Sequence, residues 1–166
     1  MKIRFVAIFL TLAVTSSPAQ SPQPRATLQQ SLGFEDQTGP ALTGWRTYPQ
    51  ESGQIDNEIA HSGRSSARLQ LNPQSSSFSV ITRSLPIDFQ GTSVELRGYL
   101  RLKDVTNYTG LWLRQDADGQ SLSLENMQSQ QVKGTSDWAQ YHITLPLNPK
   151  AQQLYFGVLL SGSGTL

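Results

Sequence analysis

The sequence predicts an all-β protein, either a sandwich or a barrel. Short apolar stretches recur between turn residues, at a spacing of about 8–15 residues that is typical of such folds. No stretch shows the period of an amphipathic helix. Only 15% of the 166 residues are charged, whereas Gly (13) and Pro (9) are common. A hydrophobic content of 37% is enough for the core of a single domain.

The first segment of the chain resembles a secretory leader. Lys2 and Arg4 precede an apolar stretch at 5–14, and Ser17-Pro18-Ala19 offers small residues for cleavage after Ala19. An uncleaved anchor or a buried strand is the alternative. We therefore expect an exported protein, periplasmic or extracellular. The predicted organisation is a signal peptide at 1–19, a flexible lead-in at 20–32 and a β-sandwich domain at 33–166.

Seven strands can be predicted from the alternation of apolar and polar residues. Val94–Leu102 alternates at every position, which is the period of a strand buried on one face. Asp116–Gly119 is a strong turn signal between two alternating stretches and predicts a hairpin. The near-continuous apolar run Leu154–Leu160 predicts a central strand. The seven strands are Ser66–Leu71, Phe78–Leu85, Val94–Leu102, Gly110–Gln115, Ser121–Asn126, Trp138–Leu145 and Leu154–Leu160.

Several classes of function are excluded by composition. The chain has no cysteine and only two histidines, His61 and His142, so disulfides, thiolate sites and three-histidine zinc sites are absent. No nucleotide-binding or metalloprotease motif occurs. Without Lys2 and Arg4, 11 basic and 12 acidic side chains remain, which gives no electrostatic basis for binding nucleic acid or a membrane. We predict no enzyme, although some carboxylate pair could support a small hydrolase.

Aromatic residues are the best candidates for ligand binding. Tyr99 and Trp112 lie opposite the aliphatic positions of their strands, where a sugar ring could stack on them. Trp112 could instead join a minor core under a loop, and we expect Trp138 in the core. The predicted ligand-binding residues on one sheet face, with polar neighbours for hydroxyl groups, are Tyr99, Trp112, Arg114, Asn126 and Gln128.

Several segments resemble one fold family. Gly33-Phe34-Glu35 with Gly44-Trp45, the turn His61–Ser66 and the strand Val94–Leu102 are similar to segments of galactose-binding-like β-sandwiches. Later segments resemble, more narrowly, the accessory domain N-terminal to the catalytic part of secreted bacterial tail-specific (C-terminal-processing) serine peptidases, which also occurs in a few regulators. These later segments are Gly110–Arg114, Asn126–Gln128, Val132–Thr135, Asp137-Trp138 and Gly157–Thr165.

The resemblance implies a jelly-roll sandwich, the fold of many carbohydrate-binding modules. Because the family continues past Gly-x-Gly-Thr with another strand, we expect this sandwich to lack its last strand. A structural calcium is implied at Glu35 and the turn Ser62–Arg64, weakened because no acid follows Asp137. The implied function is a non-catalytic exported module that binds a glycan or another extracellular ligand. The alternative is a structural or interaction domain of a longer secreted peptidase whose catalytic part is absent.

Overall fold

Two antiparallel sheets pack face to face in the computed structural model, which describes residues 3–4 (backbone only), 32–35, 42, 44–71, 74 and 76–166. Eleven strands are found within these residues. They are β1 (Ile3–Arg4), β2 (Arg46–Tyr48), β3 (Gly53–Asp56), β4 (Ser66–Leu71), β5 (Phe78–Pro86), β6 (Ser93–Val105), β7 (Tyr108–Ala117), β8 (Gln120–Glu125), β9 (Gly134–Pro146), β10 (Gln153–Ser161) and β11 (Gly164–Thr165). Two short 3₁₀ turns span Gln50–Ser52 and Gln128–Gln130.

The first sheet contains β3, β4, β6 and β9, with β1 and β11 between β4 and β6. The second sheet has the order β2-β5-β10-β7-β8. The prediction of an all-β sandwich is therefore confirmed, and the barrel alternative is wrong because the two sheets are separate. The expectation that the sandwich lacks its last strand stays a prediction.

All seven predicted strands are present, as β4 to β10. The hairpin around Asp116–Gly119 is also confirmed, since β7 pairs with β8. As predicted, β10 is central, between β5 and β7. One of its two faces is only partly covered, because Tyr155 and Leu159 are half-buried.

The opening motif of the domain lies in the core between the sheets. Phe34 is 1% exposed, and its ring lies 5.6 Å from that of Trp45, which contacts Phe156 edge-on at 5.8 Å. Such aromatic contacts contribute beyond the area they bury. Leu32, the last residue of the predicted flexible lead-in, is 2% exposed and belongs to this core. That boundary is corrected, because the apolar side chain of Leu32 is buried between the sheets.

The N-terminal segment contributes a short strand. The backbone of Ile3 and Arg4 pairs with both β4 and β6. The rest of the predicted leader, and the lead-in up to residue 31, lie outside the described residues. The signal peptide stays a prediction. In the described part of the chain, no helix has the length and apolar character needed to span a membrane.

Burial of tyrosine hydroxyls makes stability sensitive to alkaline pH. Burial raises the pKa of Tyr108, which is 8% exposed, above its ordinary value. The stabilisation is fully present below about pH 10, the pKa of an unfolded tyrosine, and is lost as the pH rises through the higher folded value.

In urea melts at pH 8 and pH 11, the loss of stability should be smaller for Tyr108→Phe than for wild type. Equal losses of stability in Tyr108→Phe and wild type would contradict a contribution of the buried Tyr108 hydroxyl. Tyr48→Phe, at a 56% exposed residue, is the control and should behave like wild type.

Candidate functional site

The outer face of the second sheet gathers most of the predicted ligand-binding residues. On β7, Leu111 and Leu113 point into the core at 0% and 1% exposure, so Trp112 and Arg114 project outward. Paired residues of neighbouring antiparallel strands point to the same side. The register therefore places two adjacent rows on this face: Arg46, Thr82, Gly157 and Trp112 in one, and Ser84, Tyr155, Arg114 and Leu124 in the other.

Arg114 is held between two aromatic rings. Its guanidinium carbon lies 4.8 Å from the centroid of the Tyr155 ring and 6.0 Å from that of Trp112. Its Nη2 donates to Oδ2 of Asp116 at 2.8 Å. Cation–π contacts of this kind contribute about 0.5–2 kcal/mol. We call this cluster of two rings and a planar cation the platform. Tyr155 was not among the predicted binding residues, because nothing in the sequence of β10 shows which strand lies beside it.

Several polar atoms on this face are buried without a hydrogen-bond partner in the structure. They are Nε1 of Trp112, Nε of Arg114, Oδ1 of Asp116 and Oγ1 of Thr82. An unsatisfied buried polar group costs about 1–3 kcal/mol, so four on one face require an explanation. The Arg114 side chain is 35% exposed, so a ligand can reach it from solvent. A polar ligand that displaces Arg114 could offer these atoms partners.

A cavity with both polar and apolar lining residues adjoins the platform at Tyr155. Its volume is about 340 Å³. Its floor includes Thr82, whose hydroxyl is one of the unpartnered groups. Burial lowers the pKa of Arg83, whose guanidinium lies 5.9 Å over the Trp45 ring. The residues that line the cavity are Gly44, Trp45, Arg46, Thr82, Arg83, Ser84 and Tyr155.

Asn126 and Gln128 lie at the end of β8 and are partly engaged in local hydrogen bonds. Oδ1 of Asn126 accepts from the backbone N–H of Gln128 at 3.1 Å, and its Nδ2 donates to the hydroxyl of Tyr108 at 3.4 Å. Glu125 is opposite Leu113 in the antiparallel pair of β7 and β8. One step further in this register, Asn126 comes to the same end of the β8 edge of the second sheet as Trp112. Gln128 is exposed. Their role in ligand binding stays a prediction.

Tyr99 lies on the other side of the molecule. It projects from the outer face of the first sheet, where its ring stacks on that of His61 at 3.7 Å and 19°. The prediction that one sheet face carries Tyr99 together with Trp112 and Arg114 is therefore wrong. The reason is that β6 pairs with β9, whereas β7 pairs with β8 and β10, so these consecutive strands belong to different sheets.

Trp138 is also outside the core, contrary to prediction. It is half-buried and contacts the edge of the His61 ring at 5.7 Å. The strand β9 has register shifts opposite Leu100–Val105, and such irregularities change which face a residue occupies. His61, Tyr99 and Trp138 thus form a second aromatic cluster, which we call the first-sheet cluster.

Glu35 meets the turn that the resemblance implied. Its Oε2 accepts from the backbone N–H of Arg64 at 2.9 Å, beside a cavity of about 690 Å³ that Asn57 and Glu58 also line. Calcium requires 6–8 oxygen ligands. No group of three or more ligating His, Cys, Asp or Glu side chains exists among the residues the structure describes. The structural calcium that the resemblance implied at Glu35 and Ser62–Arg64 stays a prediction.

The sequence matches no protein-family model. It is 29% identical over 140 residues to YbfP of Bacillus subtilis (strain 168), described as an uncharacterized HTH-type transcriptional regulator. The match covers 82% of this chain and 47% of the relative, so the chain spans about half the length of that relative.

Solved structures share the fold. The enzymatically active domain of tailspike protein 4 from bacteriophage CBA120 superposes with a TM-score of 0.54 and 14% identity, over 76% of this chain and 18% of that one. The C-terminal family 22 carbohydrate-binding module of Clostridium thermocellum Xyn10B gives 0.49 and 11%, over 75% and 82%. At these identities the likeness shows the fold alone, and a TM-score below 0.5 carries no argument about function.

Proposed function

We propose that this chain is a non-catalytic module that binds a glycan on the outer face of its second sheet. The observation that carries the proposal is the platform of Trp112, Arg114 and Tyr155, with its unpartnered polar atoms and the adjoining cavity. Ligand sites combine apolar surface with a few convergent polar groups. This face of the sandwich has both.

A sugar ring is suited to this surface because the sugar carries both apolar and polar groups. Its C–H faces pack on flat aromatic rings, while its hydroxyl groups both donate and accept hydrogen bonds. Asp116 has one oxygen without a partner, and Thr82 has an unpartnered hydroxyl. Arg114 supplies further donors from its guanidinium. A glycan that moves Arg114 from between the rings would exchange cation–π contacts for stacking and would satisfy these polar groups.

The alternative is a structural or interaction domain of a longer protein. It is supported by the finding that the chain spans about half the length of its relative. The peptidase context of this alternative rests on the resemblance described above. Export is proposed from the leader-like residues 1–19, and we expect the glycan to be extracellular or periplasmic.

The experiment is a binding assay of the full chain against a panel of polysaccharides, by affinity gel electrophoresis and isothermal titration. For a polysaccharide that binds, Trp112→Ala should weaken the affinity about fivefold or more, since stacking on an aromatic ring is worth roughly 1 kcal/mol or more. The matched control is Trp138→Ala, a half-buried tryptophan of the first-sheet cluster. It should leave the affinity within twofold of wild type.

Other outcomes separate the alternatives. Loss of binding in Trp138→Ala with retention in Trp112→Ala would assign the ligand to the first-sheet cluster and contradict the proposed site. If no polysaccharide binds the folded chain, the glycan proposal fails and the structural role is favoured.

A further inference from the structure

A second aromatic contact lies on the second sheet, at its β2 edge. The rings of Tyr48 on β2 and Phe78 on β5 are 5.5 Å apart, and the two residues are 56% and 39% exposed. We call Tyr48 and Phe78 the edge pair. Single exposed apolar residues are common on protein surfaces, but exposed rings in contact with each other form a patch, and patches indicate interaction sites.

The register places the edge pair on the outer face of this sheet. Tyr48 is opposite Val80, and Phe78 precedes Val80 by two residues on β5, so the three side chains lie on one side. Ile81, the next residue of β5, is 0% exposed and belongs to the core, so that side is the outer one. The edge pair therefore shares its face with the platform.

The cavity beside the platform lies between the platform and the edge pair. Tyr155 of the platform and Arg46 of β2 both line it, and Arg46 is two residues before Tyr48 on the same side of β2. Thr82 also lines the cavity, is opposite Arg46 and carries one of the unpartnered hydroxyl groups. We call the series Tyr155, Thr82, Arg46 and Tyr48 the path. Along it, an aromatic group is followed by polar groups and then by the edge pair.

The path is longer than one sugar ring. Tyr155 is opposite Ser84, whereas Tyr48 is opposite Val80, four residues earlier on β5. Neighbouring strands are about 4.8 Å apart and each residue advances about 3.3 Å, so the backbone positions of the two tyrosines are about 16 Å apart. A single pyranose ring is much shorter than this distance. A ligand that contacts both aromatic groups must therefore contain several sugar units in one chain.

The order of groups along the path favours a glycan chain over a protein partner. A protein interface has an apolar core and a polar rim. Here the polar groups, Arg46 and Thr82, lie between the two aromatic contacts. The hydroxyl groups of a sugar chain can bond to these polar groups, while its ring faces stack on the aromatic side chains at either end.

We propose that the ligand of this face is a chain of several sugar units that contacts the platform and the edge pair together, with its intermediate units over the cavity. The protein recognises a stretch of a polysaccharide chain and not a single terminal sugar. This inference rests on the proposed glycan binding and extends it to the length of the ligand. Tyr48 and Phe78 are then ligand-binding residues in addition to those of the platform.

The test compares ligands of different length on the full chain by isothermal titration. The parent polysaccharides are xylan, mannan and hydroxyethyl cellulose, and the probes are the disaccharide and hexasaccharide of each parent that binds. The hexasaccharide should bind wild type at least tenfold more tightly than the disaccharide. This ratio of affinities should fall at least fivefold in Tyr48→Ala and in Phe78→Ala. The control is Ile59→Ala, at a 37% exposed residue whose carbonyl oxygen accepts from the Ser66 hydroxyl of the first sheet, and it should keep the wild-type ratio.

Failure of this inference can be distinguished from failure of glycan binding. Equal affinities for the disaccharide and hexasaccharide, with binding still weakened in Trp112→Ala, would keep the platform as the glycan site and overturn the contact with the edge pair. An unchanged ratio in both Tyr48→Ala and Phe78→Ala would overturn it as well. If no polysaccharide binds the folded chain, glycan binding itself fails, and this inference fails with it.

Sedimentation of the ligand-free chain tests the other occupant of an exposed aromatic pair, a second copy of the protein. We expect a monomer in wild type and in Tyr48→Ala. A wild-type dimer that Tyr48→Ala converts to a monomer would assign the edge pair to contact between copies and overturn its role in binding a glycan chain.

Discussion

Replacing Gly157 by alanine is expected to destabilise the protein by about 3 kcal/mol, near the upper end for steric overpacking. Gly157 lies in the middle of β10, paired with Thr82 on one side and Trp112 on the other. A Cβ added there would lie 1.8 Å from the backbone carbonyl oxygen of Ile81 and 3.1 Å from Cα of Thr82. Because both obstacles are backbone atoms, β5 and β10 would have to separate.

The control for this prediction is Gly119→Ala in the turn of the β7–β8 hairpin. No atom lies within 4 Å of a Cβ added at Gly119, but its φ is +74°, so only backbone strain of about 1–2 kcal/mol is expected. Urea unfolding followed by tryptophan fluorescence measures both variants. A Gly157→Ala variant no less stable than Gly119→Ala would show that the two strands accommodate a side chain. Gly157 also matters to the candidate site, since it keeps the floor between Trp112 and Thr82 free of a side chain.

Gln115→Leu is expected to cost about 2–4 kcal/mol, although leucine is apolar and similar in size. Gln115 is fully buried. Its Nε2 donates to the carbonyl oxygen of Pro146, and its Oε1 accepts from the backbone N–H of Asn148, both at 2.8 Å. The substitution would leave both backbone groups without this partner, at about 1–3 kcal/mol each. These two bonds also attach the loop between β9 and β10 to the second sheet.

The matched control for this prediction is Gln140→Leu, at an exposed position on β9. A surface change of this kind usually lies within about 0.5 kcal/mol of wild type. Thermal unfolding and amide hydrogen exchange of the loop after Pro146 are the measurements. If Gln115→Leu unfolds at the wild-type temperature with the loop still protected, the two hydrogen bonds contribute little. Loss of protection in Gln140→Leu would indicate a nonspecific effect.

Strands could be predicted where alternation extends over six or more residues, as in β6 and β7. The strands β2 and β3, with three and four residues, were missed. They are too short for a period to be recognised, and they are stabilised by pairing with β5 and β4 rather than by their own pattern. The same limitation explains β1, where a leader-like segment pairs with two strands far away in sequence.

For the candidate site, the alternation on β7 predicted that Trp112 and Arg114 project away from the core, and the structure agrees. The alternation could not predict Tyr155 as their neighbour, because 35 residues, which include β8 and β9, separate the end of β7 from the start of β10. Nor could it predict that Tyr99 and Trp138 lie against His61. These contacts depend on which strands pair and on the register shifts of β9.

By itself, therefore, the sequence determined the all-β class, most of the strands and the faces that they bury. These properties follow from side chains that alternate every two residues, which is a local rule of strand geometry. The assignment of strands to two sheets, the platform on the second sheet and the pairing of β11 with β4 and β6 were decided only in the tertiary structure. They depend on backbone pairing between distant segments, and backbone hydrogen-bonding groups are nearly the same in every residue.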